Sequence, residues 1–239
     1  MFLPMHRLLF RPMIMRLFIA VPLLIGLVMY MAGRASAQPQ TGAQPQVGAQ
    51  PQVGASQKID EVALARIQKY LNSITTLSAK FIQTTSQGGF SEGTLILDRP
   101  GKMKIAYAPP TPFEIYADGT WLIYVDYELK EVNQLPLSAT PAAILLSKEI
   151  SFGDKYAVAV LRERKGTYRL HLKEVGEEGS GTLILMFGKE PLSLRGWAVI
   201  DAQQVRTSIT LIKPELNAII DPKKLIFIPP SWEVPGNSE

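Results

Sequence analysis

The segment from Gly93 to Asp126 is divided by proline and glycine into short apolar stretches at a spacing typical of β-strands. Arg99-Pro100-Gly101 separates the first two stretches, and Ala108-Pro109-Pro110 separates the second and third. Asp118-Gly119 is a typical two-residue hairpin turn between the third and the fourth. The segment therefore predicts four short strands joined by tight turns.

The same criteria predict further strands on both sides of this segment. Tyr168, Leu170 and Leu172 alternate with polar residues, which gives that strand one apolar face and one solvated face. Turns recur every 8 to 12 residues or so, which indicates one large antiparallel sheet. The ten predicted strands cover residues 77–85, 93–98, 102–108, 113–118, 121–126, 156–162, 168–174, 182–187, 192–200 and 205–212.

Three helical segments accompany the strands. Apolar residues from Ile59 to Ile74 recur with a helical period, and Ser56 is a candidate N-cap for that helix. A short helix over residues 142–146 begins at Thr140-Pro141, with Thr140 as the N-cap. Another begins at Asp221-Pro222. The fold class is therefore mainly β (α+β), and the helices must cover the apolar face of the sheet. The composition is equally compatible with a filled core and with an internal cavity.

Residues 1–37 have the features of a secretory signal peptide. Arg7, Arg11 and Arg16 form a basic start, residues 17–31 are apolar, and Ala35-Ser36-Ala37 fits a cleavage site. The alternative is an uncleaved membrane anchor. A full span needs about 20 apolar residues, and this run is shorter and contains a proline. We therefore expect cleavage after Ala37 and release into the periplasm.

Residues 38–57 are predicted to be a disordered linker. The hexamers AQPQTG, AQPQVG and AQPQVG follow one another from residue 37 and contain neither a charge nor an aromatic ring. Such a segment buries too little apolar surface to offset the entropy that ordering would cost. A single domain is predicted over residues 58–232, and residues 233–239 are a predicted flexible tail.

Charge and residue usage exclude several classes of function. The chain has 25 basic and 21 acidic residues, and four of the basic residues but none of the acidic ones precede residue 38. The remaining chain therefore has no net charge, whereas nucleic-acid binders need a basic surface. The nearest approach is Arg162-Glu163-Arg164-Lys165 at a predicted hairpin end, and a solvated turn accounts for it. We expect no nucleic-acid partner.

The sequence offers no catalytic constellation. His171 is the only histidine after residue 37, and it lies on the polar face of a predicted strand. Metal-ligand clusters, a Ser-His-Asp order and phosphate-binding glycine loops are missing from the sequence, and Gly176–Gly181 is predicted to be a hairpin loop. The chain has no cysteine, which excludes thiolate chemistry and a lipidation site. We expect a protein that is not an enzyme and has no metal or cofactor.

Short motifs follow one another in a specific order over residues 58–230. They are Phe81-Ile82-Gln83, Gly93–Gly101, Tyr107-Ala108-Pro109-Pro110, Asp118-Gly119, Tyr124, Thr140-Pro141-Ala142 with Leu145-Leu146, Trp197 with Asp201, and Phe227–Pro230. Their order and spacing resemble those of the outer-membrane lipoprotein carrier (LolA-like) family. One departure is Gln203-Gln204, where the family usually has a glycine in the turn.

The resemblance implies a fold and a function. The fold would be an open half-barrel made of a large curved antiparallel sheet, covered by an N-terminal helix and short lid helices. The protein would be a monomeric periplasmic carrier that binds the acyl chains of lipoproteins in an apolar cavity and ferries them from the inner to the outer membrane. Its partners would be acylated lipoproteins, an inner-membrane lipoprotein-releasing ABC transporter and an outer-membrane lipoprotein acceptor. The alternatives are a carrier of another periplasmic lipid and a lipoprotein-sensing interaction module of the same fold.

The resemblance also implies roles for particular residues. Arg99 would lie at the cavity mouth and hydrogen-bond the backbone of the lid in the closed state, and the alternative is a surface arginine before a turn. The cavity-lining candidates have plain core packing as their alternative. They are Met103, Ile105, Tyr107, Ile115, Ile123, Leu145 and Leu146.

Overall fold

One antiparallel sheet of eleven strands organises the protein, whose computed structural model describes residues 59–176 and 181–233. The predicted signal peptide, linker and most of the tail lie outside the described residues. Seven of the ten predicted strand ranges shift by one to four residues at their ends, and the other three match. The strands are β1 (Thr76–Thr85), β2 (Phe90–Asp98), β3 (Lys102–Tyr107), β4 (Phe113–Asp118), β5 (Trp121–Asp126), β6 (Glu131–Pro136), β7 (Tyr156–Arg164), β8 (Thr167–Glu174), β9 (Thr182–Lys189), β10 (Leu192–Ile200) and β11 (Arg206–Leu216).

The strand order shows why the sheet stays open. The order is β6-β5-β4-β3-β2-β1-β11-β10-β9-β8-β7, so the first and last strands of the chain pair in the middle and β6 and β7 form the two edges. These two edge strands are consecutive in the sequence. The segment that joins them must therefore pass from one edge of the sheet to the other, across its open side. That segment contains helix α2 (Ala142–Leu146).

The sheet has an apolar inner face and a solvated outer face, as the alternation predicts. On β3, Met103 and Ile105 are buried within the core on the inner face. Lys104, between them, points to the outer face and pairs with Glu114 on β4 at 2.8 Å. The mainly β class and the open, helix-covered sheet are confirmed.

Helix α1 (Glu61–Asn72) lies on the inner face of the sheet. Its N-cap is Asp60 rather than the predicted Ser56, because the Asp60 carboxylate accepts hydrogen bonds from the amides of the first turn. Ile67 and Leu71 are buried in the core, whereas Val62, counted in the predicted apolar stripe, is exposed. The hydroxyl of Tyr70 accepts a hydrogen bond from the Leu194 amide, which ties α1 to β10.

The predicted cap of α2 was wrong. The hydroxyl of Thr140 donates backward to the carbonyl of Leu137 at 2.8 Å and closes a short 3₁₀ turn, Leu137–Ala139, instead of capping α2. Pro141 occupies the cap position and makes no side-chain cap bond. The predicted helix start at Asp221-Pro222 is confirmed. Asp221 caps a 3₁₀ turn, Pro222–Leu225, because its carboxylate accepts a hydrogen bond from the Lys223 amide.

One strand, β6, was not predicted. Three of its six residues are polar, two of these are adjacent (Asn133 and Gln134), and it ends at Pro136, so it shows no regular alternation. A strand with these features is stable only because it is an edge strand paired on one side with β5.

The turn after Asp201 forms without the glycine that is usual in the family. Gln204 itself adopts the left-handed backbone conformation (φ 63°) that a glycine usually supplies.

Candidate functional site

A narrow apolar cavity of about 60 Å³ lies between the inner face of the sheet and helix α2. Nine of the strands contribute side chains to it, and α2 closes one side. The residues that line it are Gln83, Leu97, Met103, Ile105, Tyr107, Phe113, Ile115, Leu122, Tyr124, Leu135, Pro141, Ala142, Leu145, Leu183, Trp197, Val199, Thr207 and Ile209.

No charged side chain is present among the described residues of this lining. Its polar groups are few and partly satisfied, since the Tyr107 hydroxyl donates a hydrogen bond to the side-chain amide oxygen (Oε1) of Gln83 at 2.8 Å. Burial raises the pKa of Tyr107 to about 12, partly offset by that hydrogen bond, so the phenol stays neutral. Burial and the nearby Asp126 carboxylate raise the pKa of Tyr124 as well. The cavity therefore presents a neutral, mostly apolar surface.

Five of the seven predicted cavity residues lie in this lining. They are Met103, Ile105, Tyr107, Ile115 and Leu145. They come together because alternate residues of β3 and β4 share the inner face, and α2 turns Leu145 toward them.

The other two predicted residues lie elsewhere. Ile123 is on the outer face, where it packs with Tyr116 and Val125 under the C-terminal residues Phe227 and Trp232. The hairpin register explains this, since Ile123 pairs with Tyr116 and not with Ile115. Leu146 is buried in the core but does not line the cavity, because neighbouring helix positions point about 100° apart.

Most of the lining was not predicted from the sequence. Leu122 and Tyr124 follow from the two-residue hairpin, which pairs Tyr124 with Ile115 and places both on the inner face. Trp197, Val199 and Ile209 belong to the other half of the sheet. They reach the cavity only because β1 pairs with β11.

A second, smaller cavity of about 20 Å³ lies beside the first, under the end of α1. Leu97, Leu145 and Trp197 line both cavities and therefore form the wall between them. Leu145 is on α2, so a displacement of α2 would remove part of this wall. Arg99 and Ile150 line the second cavity.

Arg99 joins α1 to the segment that follows α2. Its Nη1 donates to the carbonyls of Leu71 (2.7 Å) and Ile74 (2.8 Å) at the end of α1. Its Nε donates to the Ser147 carbonyl at 2.7 Å, and Nη2 donates to the Lys148 carbonyl at 3.4 Å. Burial lowers the pKa of this guanidinium, which nevertheless stays charged at physiological pH. One side chain therefore satisfies backbone carbonyls on two separate elements.

Two further sets of hydrogen bonds hold α2 and the segment that follows it in place. The Asn72 side-chain amide donates to the Ile150 carbonyl at 2.9 Å and accepts from the Ile150 amide at 2.8 Å. The Gly101 amide donates to the Leu146 carbonyl at 2.8 Å. Through Arg99, Asn72 and Gly101, the end of α2 is attached to α1 and to the β2–β3 turn. In the described conformation, α2 therefore covers one side of the cavity.

The family described as outer membrane lipoprotein carrier protein LolA matches residues 72–227. The chain belongs to the outer-membrane lipoprotein carrier family. An outer-membrane lipoprotein carrier protein from Methylococcus capsulatus is 30% identical over 176 residues, which cover 70% of this chain and 84% of that protein. One from Pseudomonas paraeruginosa is 28% identical over 190 residues, covering 73% of this chain and 88% of the relative.

Among solved structures, a LolA superfamily protein from Nitrosomonas europaea aligns with a TM-score of 0.42 at 10% identity, covering 68% of this chain and 97% of that one. The family assignment rests on the sequence matches. The matched residues 72–227 contain all eleven strands, Arg99 and the whole cavity lining. Within residues 59–176 and 181–233, no helix has the length and apolarity needed to cross a bilayer, and no cluster of three or more metal-ligating side chains occurs.

Proposed function

We propose that this member of the outer-membrane lipoprotein carrier family is a periplasmic carrier that binds the acyl chains of lipoproteins and ferries them from the inner to the outer membrane. The observation that supports it best is the neutral apolar cavity under a helix held by Arg99. An acyl chain carries no charge and gains about 0.8 kcal/mol for each methylene removed from water. The described lining of this cavity has no charged side chain that could act as a general acid or base at neutral pH, so we propose a carrier and not an enzyme.

Binding requires the cavity to expand. A volume of about 60 Å³ is enough for a few water molecules but not for a long acyl chain. Displacing α2 would move Leu145 and join the two cavities behind it. We infer that loading opens this helix and that closing it, with Arg99 bonded to Ser147, favours the empty state. Acceptance of cargo from an inner-membrane lipoprotein-releasing ABC transporter and delivery to an outer-membrane acceptor belong to the same proposal.

Acyl-chain affinity is expected to rise with chain length. Each added methylene should tighten binding of a fluorescent fatty acid about fourfold until the cavity is full. Added salt should change the affinity little, because the lining is uncharged. A titration series of fatty acids of increasing length at low and high salt measures both effects.

A pair of tryptophan substitutions on α2 tests whether the fatty acid enters this cavity. Ala142 lines the cavity and its neighbour Ala143 does not. Ala142→Trp should abolish binding by filling the space, whereas Ala143→Trp should retain it. Equal binding by both variants would show that the fatty acid binds outside this cavity. No binding by the parent protein, or binding that vanishes in salt, would favour the sensing-module alternative.

The secreted form is expected to begin at Gln38, which follows the small residues of Ala35-Ser36-Ala37. N-terminal sequencing of the protein from a periplasmic fraction measures this directly. Recovery of the chain with an intact N-terminus in the membrane fraction would contradict both the cleavage and the periplasmic location.

A further inference from the structure

A basic groove of about 500 Å³ lies on the outer face of strands β7 to β11, and it shares no lining residue with the apolar cavity. The predicted solvated turn at residues 162–165 supplies only one part of it. The folded sheet adds cationic side chains from β8 and β11. The groove is lined by Arg162, Arg164, Lys165, Thr167, Arg169, His171, Ile184, Ile200 and Arg206.

The cations of this groove are not balanced by acids. Arg162 and Arg169 are directly opposite each other on paired strands, where like charges destabilise a sheet. No carboxylate lines the groove among the described residues, and none of its arginines is in an ion pair there. The ion pairs of the described chain lie elsewhere and use other cations: Lys104–Glu114, Lys155–Glu174 and Lys189–Glu163. This concentration of positive charge contrasts with the neutral balance of the chain after residue 37.

His171 lies at the centre of the cations. Burial lowers the pKa of its imidazole, and the guanidinium groups of Arg162, Arg169 and Arg206 lower it further. The floor of the groove is apolar, since Ile184 is only 3% exposed although it is on the outer face. The groove therefore combines several donor forks with a low-polarity floor, which strengthens electrostatic attraction.

We propose that this groove binds a phosphate-bearing anion. Guanidinium groups form paired hydrogen bonds with phosphate oxygens, and several of them around one concave site can contact one phosphate together. The neutral imidazole of His171 supplies one further donor. Phosphate esters in solution and the headgroups of anionic phospholipids share this chemistry. The site is independent of acyl-chain binding in the inner cavity.

The test uses the protein purified from the periplasm and two kinds of probe. Sodium phosphate and glycerol 3-phosphate are titrated while the ring resonances of His171 are followed by NMR. Sedimentation with phosphatidylglycerol vesicles, against phosphatidylcholine vesicles, measures the headgroup source. The variants are Arg169→Gln and Arg206→Gln, and Arg195→Gln is the matched control because Arg195 is exposed on β10 and does not line the groove.

Each groove variant should weaken binding by about tenfold, and Arg195→Gln by less than about twofold, since only the groove arginines contact the anion. Binding of the soluble phosphates identifies a free phosphate ester as the ligand class. Binding of phosphatidylglycerol vesicles alone identifies a lipid headgroup. Fatty-acid binding should be unchanged in every variant, which shows that the fold is intact. Three results would overturn the proposal. The first is that neither soluble phosphate shifts the His171 resonances and no vesicle is bound. The second is that Arg195→Gln loses as much binding as the groove variants, and the third is that the protein binds a polyglutamate peptide in preference to phosphate.

Discussion

Replacing Arg99 with leucine is expected to slow the transfer of bound lipoprotein to an acceptor by about tenfold or more. Arg99 donates to four carbonyls, two at the end of α1 and two after α2. Hydrogen bonds from a charged donor contribute about 1.5–3 kcal/mol each, and leucine makes none of them. The closed, empty state loses this stabilisation while the open, loaded state does not.

The direction of the effect follows from the coupling between closing and release. If release requires α2 to close over the empty cavity, any loss of closed-state stability shifts the population toward the loaded state. Arg99→Leu should therefore load normally and release slowly. The transfer rate of Arg99→Lys should lie between those of Arg99→Leu and the parent. Lysine keeps the charge, but its ammonium lacks the planar donor fork that reaches carbonyls on both elements.

The measurement is the transfer of a labelled lipoprotein from preloaded carrier to acceptor. Arg195→Leu is the control, because it removes an exposed arginine of β10 that lines neither of the two cavities. Transfer by Arg99→Leu at the parental rate would show that the four hydrogen bonds are structural only. In that case Arg99 would be a residue that organises the turn before Pro100.

Replacing Gly93 with alanine is expected to cost about 3 kcal/mol or more of folding free energy through overpacking. A Cβ at Gly93 would lie 2.2 Å from the Ala106 carbonyl oxygen and 2.9 Å from the Phe81 ring, so backbone must move. Gly93 is opposite Phe81 on one side and Tyr107 on the other. Those two rings meet edge to face at 5.3 Å, in the space that the missing side chain leaves.

The melting temperature of Gly93→Ala should fall by about 6–12 °C for a domain of this size. Gly188→Ala is the matched control on β9, where the atoms nearest the new Cβ would be the side-chain ends of Arg195 and Ser193, at 3.0 Å. Those ends can rotate away, so the control should melt close to the parent. Equal melting temperatures for both variants would show that β2 and β3 separate easily at this position. The displaced Tyr107 should also weaken fatty-acid binding, because Tyr107 lines the cavity.

Local patterns in the sequence are enough to predict most strands and turns. Proline and glycine mark the ends of β2 to β5, and alternation identifies the buried side of β8, because these properties depend on residues close together in the chain. The same reasoning failed for β6, whose stability comes from pairing with β5 rather than from its own composition. The prediction that Thr140 caps α2 failed for a similar reason, because the Thr140 hydroxyl donates instead to the backbone carbonyl of Leu137.

The cavity could be predicted only in part. Met103, Ile105 and Tyr107 follow from one strand's alternation and the family resemblance, and Arg99 follows from the resemblance alone. The misplacement of Ile123 was avoidable. A two-residue turn at the predicted Asp118-Gly119 or at the observed Gly119-Thr120 puts Tyr124 on the face of Ile115 and Ile123 on the other face.

The sequence by itself determined ten of the eleven strands, most of the tight turns, the neutral charge of the chain after residue 37 and the family. The tertiary structure decided which of these strands are neighbours. Pairing of β1 with β11 brings Trp197 and Ile209 to the same cavity as Ile115, and pairing of β7, β8 and their neighbours gathers the basic groove. The contacts in the cavity join residues about a hundred positions apart in the sequence, and those in the basic groove join residues tens of positions apart. These contacts form because the folded sheet buries its whole inner face. The free energy gained depends on all the strands together, so it cannot be predicted from any local sequence pattern.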